Sequence, residues 1–168
     1  MEAKKNFILF FLLMTFIGCV AQPRYTSQPV EKRSYQPPEE KSENKIDQIR
    51  MSEIIESLLG TPYKEGGLSK WGLDCSGFVT EVYKKYAGFN LPHSTEKLFK
   101  LVKEVDKENL DYGDLVFFSD SGFSPSHVGI YIEEGEFAHS TKGYGVIVSS
   151  LDEEYYRKSY IGARRVIP

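Results

Sequence analysis

The sequence predicts an α+β domain in which helices come first and an antiparallel sheet of about five or six strands follows. Apolar residues recur with a helical period up to about residue 102, and with the shorter period of strands after it. The chain has 168 residues, of which 40% are hydrophobic and 27% charged, a composition typical of one globular domain. Its formal net charge of −3 argues against a nucleic-acid partner, because such a partner requires a basic face.

The first residues have the pattern of an export signal. Lys4 and Lys5 precede an apolar run over residues 7–17 that is too short to stay in a bilayer as a spanning helix. The next motif, Phe16-Ile17-Gly18-Cys19, resembles the lipobox of bacterial lipoproteins, although Phe16 departs from the usual Leu. The resemblance implies that Cys19 is lipidated and attaches the chain to a membrane.

This pattern divides the chain into three parts. Residues 1–18 are expected to be a signal peptide, and residues 19–44, rich in Pro, Gln, Ser, Glu and Lys, a flexible tether. Residues 45–168 would form the folded domain. The alternative is a soluble secreted protein cleaved near Ala21. Because Val20 rather than Asp follows the cysteine, we expect the outer membrane, with the domain facing the periplasm.

Three helices are predicted in the first half of the domain. The first carries an apolar stripe that stops at Gly60, a typical C-cap; the stripe consists of Ile46, Ile49, Ile54, Ile55, Leu58 and Leu59. The second begins after Asp74 and ends near Gly88. A short third helix is predicted over residues 95–102, with Ser94 as its N-cap.

The second half of the domain is predicted to form strands separated by turns. Glu134-Gly135 is a tight-turn signal and predicts a hairpin between the strands on either side of it. A short helical turn is expected over residues 152–156. The predicted strands cover residues 115–118, 127–132, 136–140, 146–148 and 160–167.

Cys75 is the first candidate for chemistry, because it opens the second helix. Asp74 can cap that helix, and the free N–H groups and positive dipole of its first turn favour the thiolate form of Cys75. The alternative is that Cys75 is a small buried hydrophobic residue. Lipidation of Cys19, the other of the two cysteines, would leave Cys75 with no disulfide partner in an exported protein, which favours a function.

Two of the three histidines lie on the predicted hairpin. His127 is further from the turn than His139, so the two are expected to be offset across the strands rather than directly paired. An imidazole can take the proton of a thiol, and a second polar group can hold that imidazole in its working tautomer. Two alternatives are that each histidine is an ordinary partly buried ring, and that Cys75, His127 and His139 ligate zinc.

A set of motifs, in this order, resembles the NlpC/P60 family of bacterial cell-wall peptidases, which have a papain-like core. The resemblance spans residues 55–167. It is carried by Gly60-Thr61-Pro62-Tyr63, Gly66-Gly67, Asp74-Cys75-Ser76-Gly77-Phe78-Val79, Leu91-Pro92, Gly113-Asp114-Leu115-Val116-Phe117-Phe118, His127-Val128-Gly129-Ile130-Tyr131-Ile132 and Phe137-Ala138-His139-Ser140.

The resemblance implies a catalytic role for three residues. Cys75 would be the nucleophile, His127 the general base and His139 the residue that orients His127. Tyr63 matches a tyrosine that helps to stabilise the oxyanion together with the Cys75 backbone N–H.

Further residues match positions that bind the stem peptide in some members of the family: Asp74, Ser76 and Ser94. One departure is visible, since His93 stands where the family commonly has Arg. That departure puts the contacts to a substrate carboxylate, and hence the exact bond cut, in doubt.

The expected function is therefore hydrolysis of an amide bond in peptidoglycan stem peptides by a monomer, through a thioacyl-enzyme and without metal or cofactor. The bond would be D-γ-glutamyl–diaminopimelate or a D-Ala–diaminopimelate cross-link. The main alternative is a catalytically silent wall-binding lipoprotein of the same fold. Acyl transfer by a related lipid acyltransferase is disfavoured, because those enzymes usually place His before Cys.

Overall fold

A computed structural model of the chain describes residues 46–101 and 103–167. Within these residues, three α-helices and a small hairpin precede the first strand of the main sheet along the chain. The helices are α1 (Gln48–Glu56), α2 (Cys75–Ala87), α3 (Thr95–Leu101) and α4 (Glu154–Ser159). The strands are β1 (Leu68–Ser69), β2 (Gly72–Leu73), β3 (Lys103–Val105), β4 (Leu115–Phe118), β5 (His127–Tyr131), β6 (Glu136–Thr141), β7 (Gly145–Ser150) and β8 (Tyr160–Arg165).

The helix ends follow from their capping residues. The Asp47 side chain accepts a hydrogen bond from Arg50 N at 3.1 Å and starts α1. Asp74 does the same for α2, accepting from Gly77 N at 2.6 Å. Gly88 ends α2 in the left-handed conformation, with φ of 70°, which costs glycine little. The three predicted helices are confirmed, although α1 is shorter than its apolar stripe.

The main sheet has six antiparallel strands in the order β3-β8-β4-β5-β6-β7. The predicted hairpin is present: β5 and β6 are joined by Glu134-Gly135, both with positive φ, as the tight turn requires. The α+β prediction and its strand count are therefore confirmed. The edge strand β3 and the hairpin formed by β1 and β2 were not predicted from the sequence.

Helix α2 is packed against one face of the sheet, over β5 and β6, and against α1. The apolar side chains along one side of α2 are buried: Phe78, Val79, Val82 and Tyr83 are each 0% exposed. The opposite face carries a second apolar cluster, in which Phe118 and Phe137 pack with Tyr156 of α4. Because α2 is fixed by this burial, the residue at its N-terminus is held against the sheet.

An ion pair between buried Asp114 and partly exposed Arg165 links the turn before β4 to the last strand. Arg165 donates from Nε to Asp114 Oδ1 at 2.8 Å and from Nη2 to Oδ2 at 2.7 Å, while Asp114 is only 2% exposed. Asp111 N also donates to Asp114 Oδ2, at 2.8 Å. The Gly113-Asp114 motif therefore closes the turn that orients β4, with the Tyr83 hydroxyl donating to the Gly113 carbonyl.

The predicted signal peptide (1–18), lipidated Cys19 and tether (19–44) lie outside the described residues, so they stay predictions. In the described part of the chain, no helix has both the length and the hydrophobicity needed to span a bilayer.

Candidate active site

Cys75 is the first residue of α2 and lies half-buried at the junction of that helix with the sheet. Its Sγ lies 3.7 Å from Thr95 Oγ1, at the start of α3. The backbone of Val128, the residue after His127, lies close enough to the thiol to lower its pKa. These contacts place the sulfur between the start of α3 and the start of β5.

The protonation of Cys75 differs from the expectation based on the helix terminus. Burial raises the pKa of the thiol, and hydrogen bonds from Thr95, Val128 and Ser76 offset this only in part. The first-turn N–H of Ser76 does favour the thiolate, as predicted, but burial outweighs it, so the pKa of the thiol lies above its usual value. In the folded protein the thiol keeps its proton until a base removes it.

His127 and His139 meet on one face of the sheet. His127 Nε2 lies 2.8 Å from His139 Nδ1, and the two rings are nearly perpendicular, at 87°. The pairing of Ile130 with Ala138 makes the two histidines diagonal neighbours, so the predicted offset is confirmed. Gly129, whose missing Cβ would meet the Cβ of His139 at 3.1 Å, leaves room for the rings.

Both imidazoles are held neutral by burial. Removal from water lowers the pKa of His127 to about 4, with Asp120 nearby acting in the opposite direction. Burial and the neighbouring His127 lower the pKa of His139 to about 3. In the tautomer in which neutral His127 donates from Nε2 to His139 Nδ1, the Nδ1 of His127 carries no proton and can accept one.

His139 Nε2 has two hydrogen-bonding partners that the sequence did not predict. Its Nε2 lies 3.0 Å from Ser149 Oγ on β7 and 3.3 Å from the Tyr156 hydroxyl on α4. Ser149 is two residues from Ile147, the residue that pairs with His139, and so lies on the same face of the sheet. The alternation of side chains along β7 indicates the face on which Ser149 lies, but it does not reveal the contact between Ser149 and His139.

Tyr63 lies close to Cys75. It forms an isolated bridge with Leu73, two residues before the cysteine. Burial and then the nearby Cys75 raise the pKa of the Tyr63 hydroxyl, so that it stays a donor. Lys142 lies over the Tyr63 ring, 5.9 Å from its centroid.

Both oxygens of the Asp74 carboxylate form hydrogen bonds within the protein. Oδ1 accepts from Gly77 N at 2.6 Å and from Ser76 Oγ at 3.0 Å. Oδ2 accepts from Gly66 N at 3.0 Å and lies 2.7 Å from His93 Nε2. His93, the residue at which the sequence departs from the motif it resembles, thus pairs with Asp74 next to Cys75.

The other two predicted substrate-binding residues differ in exposure. Ser76 is buried, at 5% exposure, with its hydroxyl directed to Asp74. Ser94 is half-buried and accepts a hydrogen bond from Lys97 N at 3.4 Å, as the predicted cap of α3. The binding roles of Asp74, Ser76 and Ser94 stay predictions. In residues 46–101 and 103–167, no group of three or more His, Cys, Asp or Glu side chains is arranged to hold a metal ion.

Comparison with known proteins establishes the family. A family model described as the NlpC/P60 family matches residues 60–165, which contain every candidate catalytic residue. MepS of Escherichia coli K12, named murein DD-endopeptidase and murein LD-carboxypeptidase, is 38% identical over 141 residues, covering 82% of this chain and 74% of that protein. The chain therefore belongs to the NlpC/P60 family.

Two further relatives agree in sequence and in fold. The probable endopeptidase NlpC of E. coli K12 is 39% identical over 117 residues, covering 69% of this chain and 76% of that protein. The crystal structure of an NlpC/P60 family protein from Bacillus cereus is similar with a TM-score of 0.68 and 36% identity. The match covers 72% of this chain but only 40% of the B. cereus chain. These matches confirm the NlpC/P60 fold.

Proposed function

We propose that the protein is a peptidoglycan hydrolase, a cysteine endopeptidase that cuts stem peptides through a thioacyl-enzyme. The observation that carries this proposal is the 2.8 Å contact between His127 Nε2 and His139 Nδ1. The residue after His127, Val128, has its backbone close to the thiol of Cys75 at the N-terminus of α2. The names of the relatives, which include murein DD-endopeptidase and probable endopeptidase, support the substrate class.

The mechanism follows from the protonation states. His127 Nδ1 accepts the proton of the Cys75 thiol as the sulfur attacks the amide carbonyl of the substrate. Collapse of the tetrahedral intermediate breaks the C–N bond, and His127 returns the proton to the leaving amine. Water, deprotonated by the same imidazole, then attacks the thioester, releases the carboxylic acid and restores the thiol.

The oxyanion needs donors that are in place before the reaction. The backbone N–H of Cys75 belongs to the first turn of α2, where amides have no acceptor within the helix. The Tyr63 hydroxyl, kept protonated by burial, is the second donor in this proposal. Together they would stabilise the negative charge on the former carbonyl oxygen.

Two bonds fit the proposal, D-γ-glutamyl–diaminopimelate and the D-Ala–diaminopimelate cross-link. The name of MepS, a murein DD-endopeptidase, favours the cross-link, because that bond follows a D-alanine. Asp74, Ser76 and Ser94 would contact the peptide around the cut bond. Lipidated Cys19 would hold the enzyme on the periplasmic side of the outer membrane.

The alternative, a catalytically silent wall-binding lipoprotein, is less well supported. A binding protein needs no general base, yet His127 and His139 are oriented by contacts at three of their four ring nitrogens. Binding of sacculi by the wild type with no release of muropeptides would favour this alternative.

The proposal is tested by incubating purified sacculi with the full chain and analysing the released muropeptides by liquid chromatography and mass spectrometry. Wild type should release cross-link or stem-peptide fragments, and Cys75→Ala should release none. Cys19→Ala, which removes the only other cysteine and the predicted lipid, is the matched control and should keep activity on soluble substrate. Equal profiles from wild type and Cys75→Ala would contradict the proposal, and inactivation by a chelator but not by iodoacetamide would point to zinc instead.

A further inference from the structure

We infer that Ser149 is a positioning residue of this active site, which holds His139 in the tautomer that carries its proton on Nε2. The inference rests on the proposed function, since it concerns how the general base is prepared. It is carried by the 3.0 Å contact between Ser149 Oγ and His139 Nε2.

The three residues form a diagonal line across adjacent strands. His127 on β5 contacts His139 on β6, and His139 contacts Ser149 on β7. In the second step the ladder fixes the offset, because His139 pairs with Ile147 and Phe137 pairs with Ser149. The pleat therefore places Ser149 on the face that carries the imidazoles, with no adjustable loop between them.

The tautomer of His139 decides whether His127 can work. When His127 holds the proton of the nucleophile, both of its ring nitrogens are donors, and Nε2–H must find an acceptor in His139 Nδ1. If His139 carried its own proton on Nδ1, two N–H groups would face each other at 2.8 Å. An acceptor at His139 Nε2 keeps the proton on that nitrogen, and thus leaves Nδ1 as the acceptor.

No charged group performs this task among the described residues, where the ring nitrogens of His139 have only His127, Ser149 and Tyr156 as hydrogen-bonding partners. His139 is 0% exposed, so its ring nitrogens are not in contact with bulk solvent. A hydroxyl can accept from Nε2–H without placing a buried charge next to the dyad. The neutral network is thus suited to a neutral His139.

Ser149 is favoured over Tyr156 for this role by distance and by packing. The Tyr156 hydroxyl is further from His139 Nε2, at 3.3 Å. The Tyr156 ring also has a packing role, because it lies edge-on to His139, Phe137 and Phe118 with centroids 5.3, 4.9 and 5.1 Å away. Ser149, by contrast, offers little beyond its hydroxyl.

The test compares Ser149→Thr with Ser149→Val in the full chain, because these side chains have the same shape and differ by the hydroxyl. Both are β-branched and suit a strand, so both are expected to fold. Val148→Thr, on the opposite face of β7 and 39% exposed, is the control for altering this strand. Ser149→Ala and Tyr156→Phe complete the series, and thermal unfolding shows which variants are folded.

The readout is the imidazole tautomer, measured by ¹H–¹⁵N correlation NMR of the histidine rings, together with kcat and KM on a soluble muropeptide. Wild type and Ser149→Thr should show His139 protonated on Nε2 alone. Ser149→Val should show a tautomer mixture, with KM unchanged and kcat lowered about 10- to 100-fold, the scale seen when the hydrogen-bonding partner of a metal-binding histidine is lost.

A wild-type His139 protonated on Nδ1, or a Ser149→Val variant with the tautomer and kcat of wild type, would overturn the inference. A loss of kcat equal in Ser149→Val and Ser149→Thr would also do so, because it would show a packing effect. If the wild type turns over no substrate while its tautomer depends on Ser149 as described, the proposed function fails and the positioning role stands.

Discussion

His127 Nε2 and His139 Nδ1 lie 2.8 Å apart, on neighbouring strands and at diagonal positions rather than opposite each other. In the proposed mechanism this relationship assigns the ring nitrogens their tasks: His127 Nε2 faces His139, and His127 Nδ1 accepts the thiol proton. The register of the sheet sets the offset between the two rings.

Replacement of His139 by Asn should preserve part of the activity, whereas replacement by Leu should not. The Asn side chain offers an oxygen as acceptor for His127 Nε2–H, while Leu leaves that donor unpaired in a buried site. We expect a loss of about 10²- to 10⁴-fold in kcat for His139→Leu, the usual scale for loss of the group that orients a catalytic histidine. Steady-state kinetics on a muropeptide checks this, and equal activity of the two variants would contradict it.

Stability should fall as the pH is lowered below about 6.5. The pKa values of His127 and His139 lie at about 4 and about 3 in the folded protein, below their usual value of 6.5. The unfolded chain therefore binds more protons between these limits, so the free energy of unfolding is highest above pH 6.5 and falls toward pH 3 to 4.

The melting temperature measured from pH 8 to pH 3 checks this linkage. His139→Asn removes one of the two depressed groups and should flatten the decline between pH 6.5 and pH 3. An unchanged slope in His139→Asn would show that buried carboxylates, not this histidine, set the pH dependence.

Gly129→Ala should displace His127 and His139, although Gly129 itself supplies no reacting group. An added Cβ would lie 2.8 Å from the carbonyl oxygen of Ala138 and 3.1 Å from Cβ of His139, so β5 and β6 would have to separate. Overpacking of this kind costs about 1–3 kcal/mol of stability. Chemical denaturation should show that loss, and the NMR signals of the His127 and His139 rings should shift; unchanged signals would contradict the close fit.

Asp114→Asn should destabilise the fold more than an equivalent change at an exposed ion pair. Asp114 is 2% exposed and bidentate with Arg165, so its loss leaves hydrogen-bonding groups of a partly buried guanidinium unpaired. Because 30% of the Arg165 side chain is exposed, the cost should be about 1–3 kcal/mol rather than that of a fully buried pair.

Glu154→Gln is the matched control, since it breaks a pair with Lys158 in which both side chains are more than two-thirds exposed. Exposed pairs contribute about 0–1 kcal/mol. Urea unfolding of the two variants measures the difference, and equal midpoints would show that the Asp114 pair is not stabilising.

The sequence was sufficient to predict the elements that bury an apolar face. The stripe of α2 and the turn at Glu134-Gly135 each have a local physical signature, and both are present in the structure. Strand β3 was missed because Lys103, Glu104 and Val105 form a short, mostly charged edge strand without alternation. Its pairing with β8 is a long-range contact that no local pattern reveals.

The candidate site was predicted only in part, for a related reason. The positions of Cys75, His127 and His139 follow from ordered motifs, but Ser149 lies in no motif and reaches His139 through the register of β6 with β7. The sequence also shows the helix terminus that favours the thiolate of Cys75, but not the burial that outweighs it and raises the pKa of the thiol.

Detection of the thioacyl-enzyme on Cys75 would test the proposed mechanism most directly. The full chain is mixed with a defined cross-linked muropeptide and quenched with acid within milliseconds to seconds, and its peptides are analysed by mass spectrometry. The proposed mechanism predicts a transient mass increase equal to the acyl fragment on the peptide containing Cys75, absent in Cys75→Ala and formed more slowly when His127 is replaced by a weaker base. Product formation that continues in Cys75→Ala, with no adduct in wild type at any time, would contradict it.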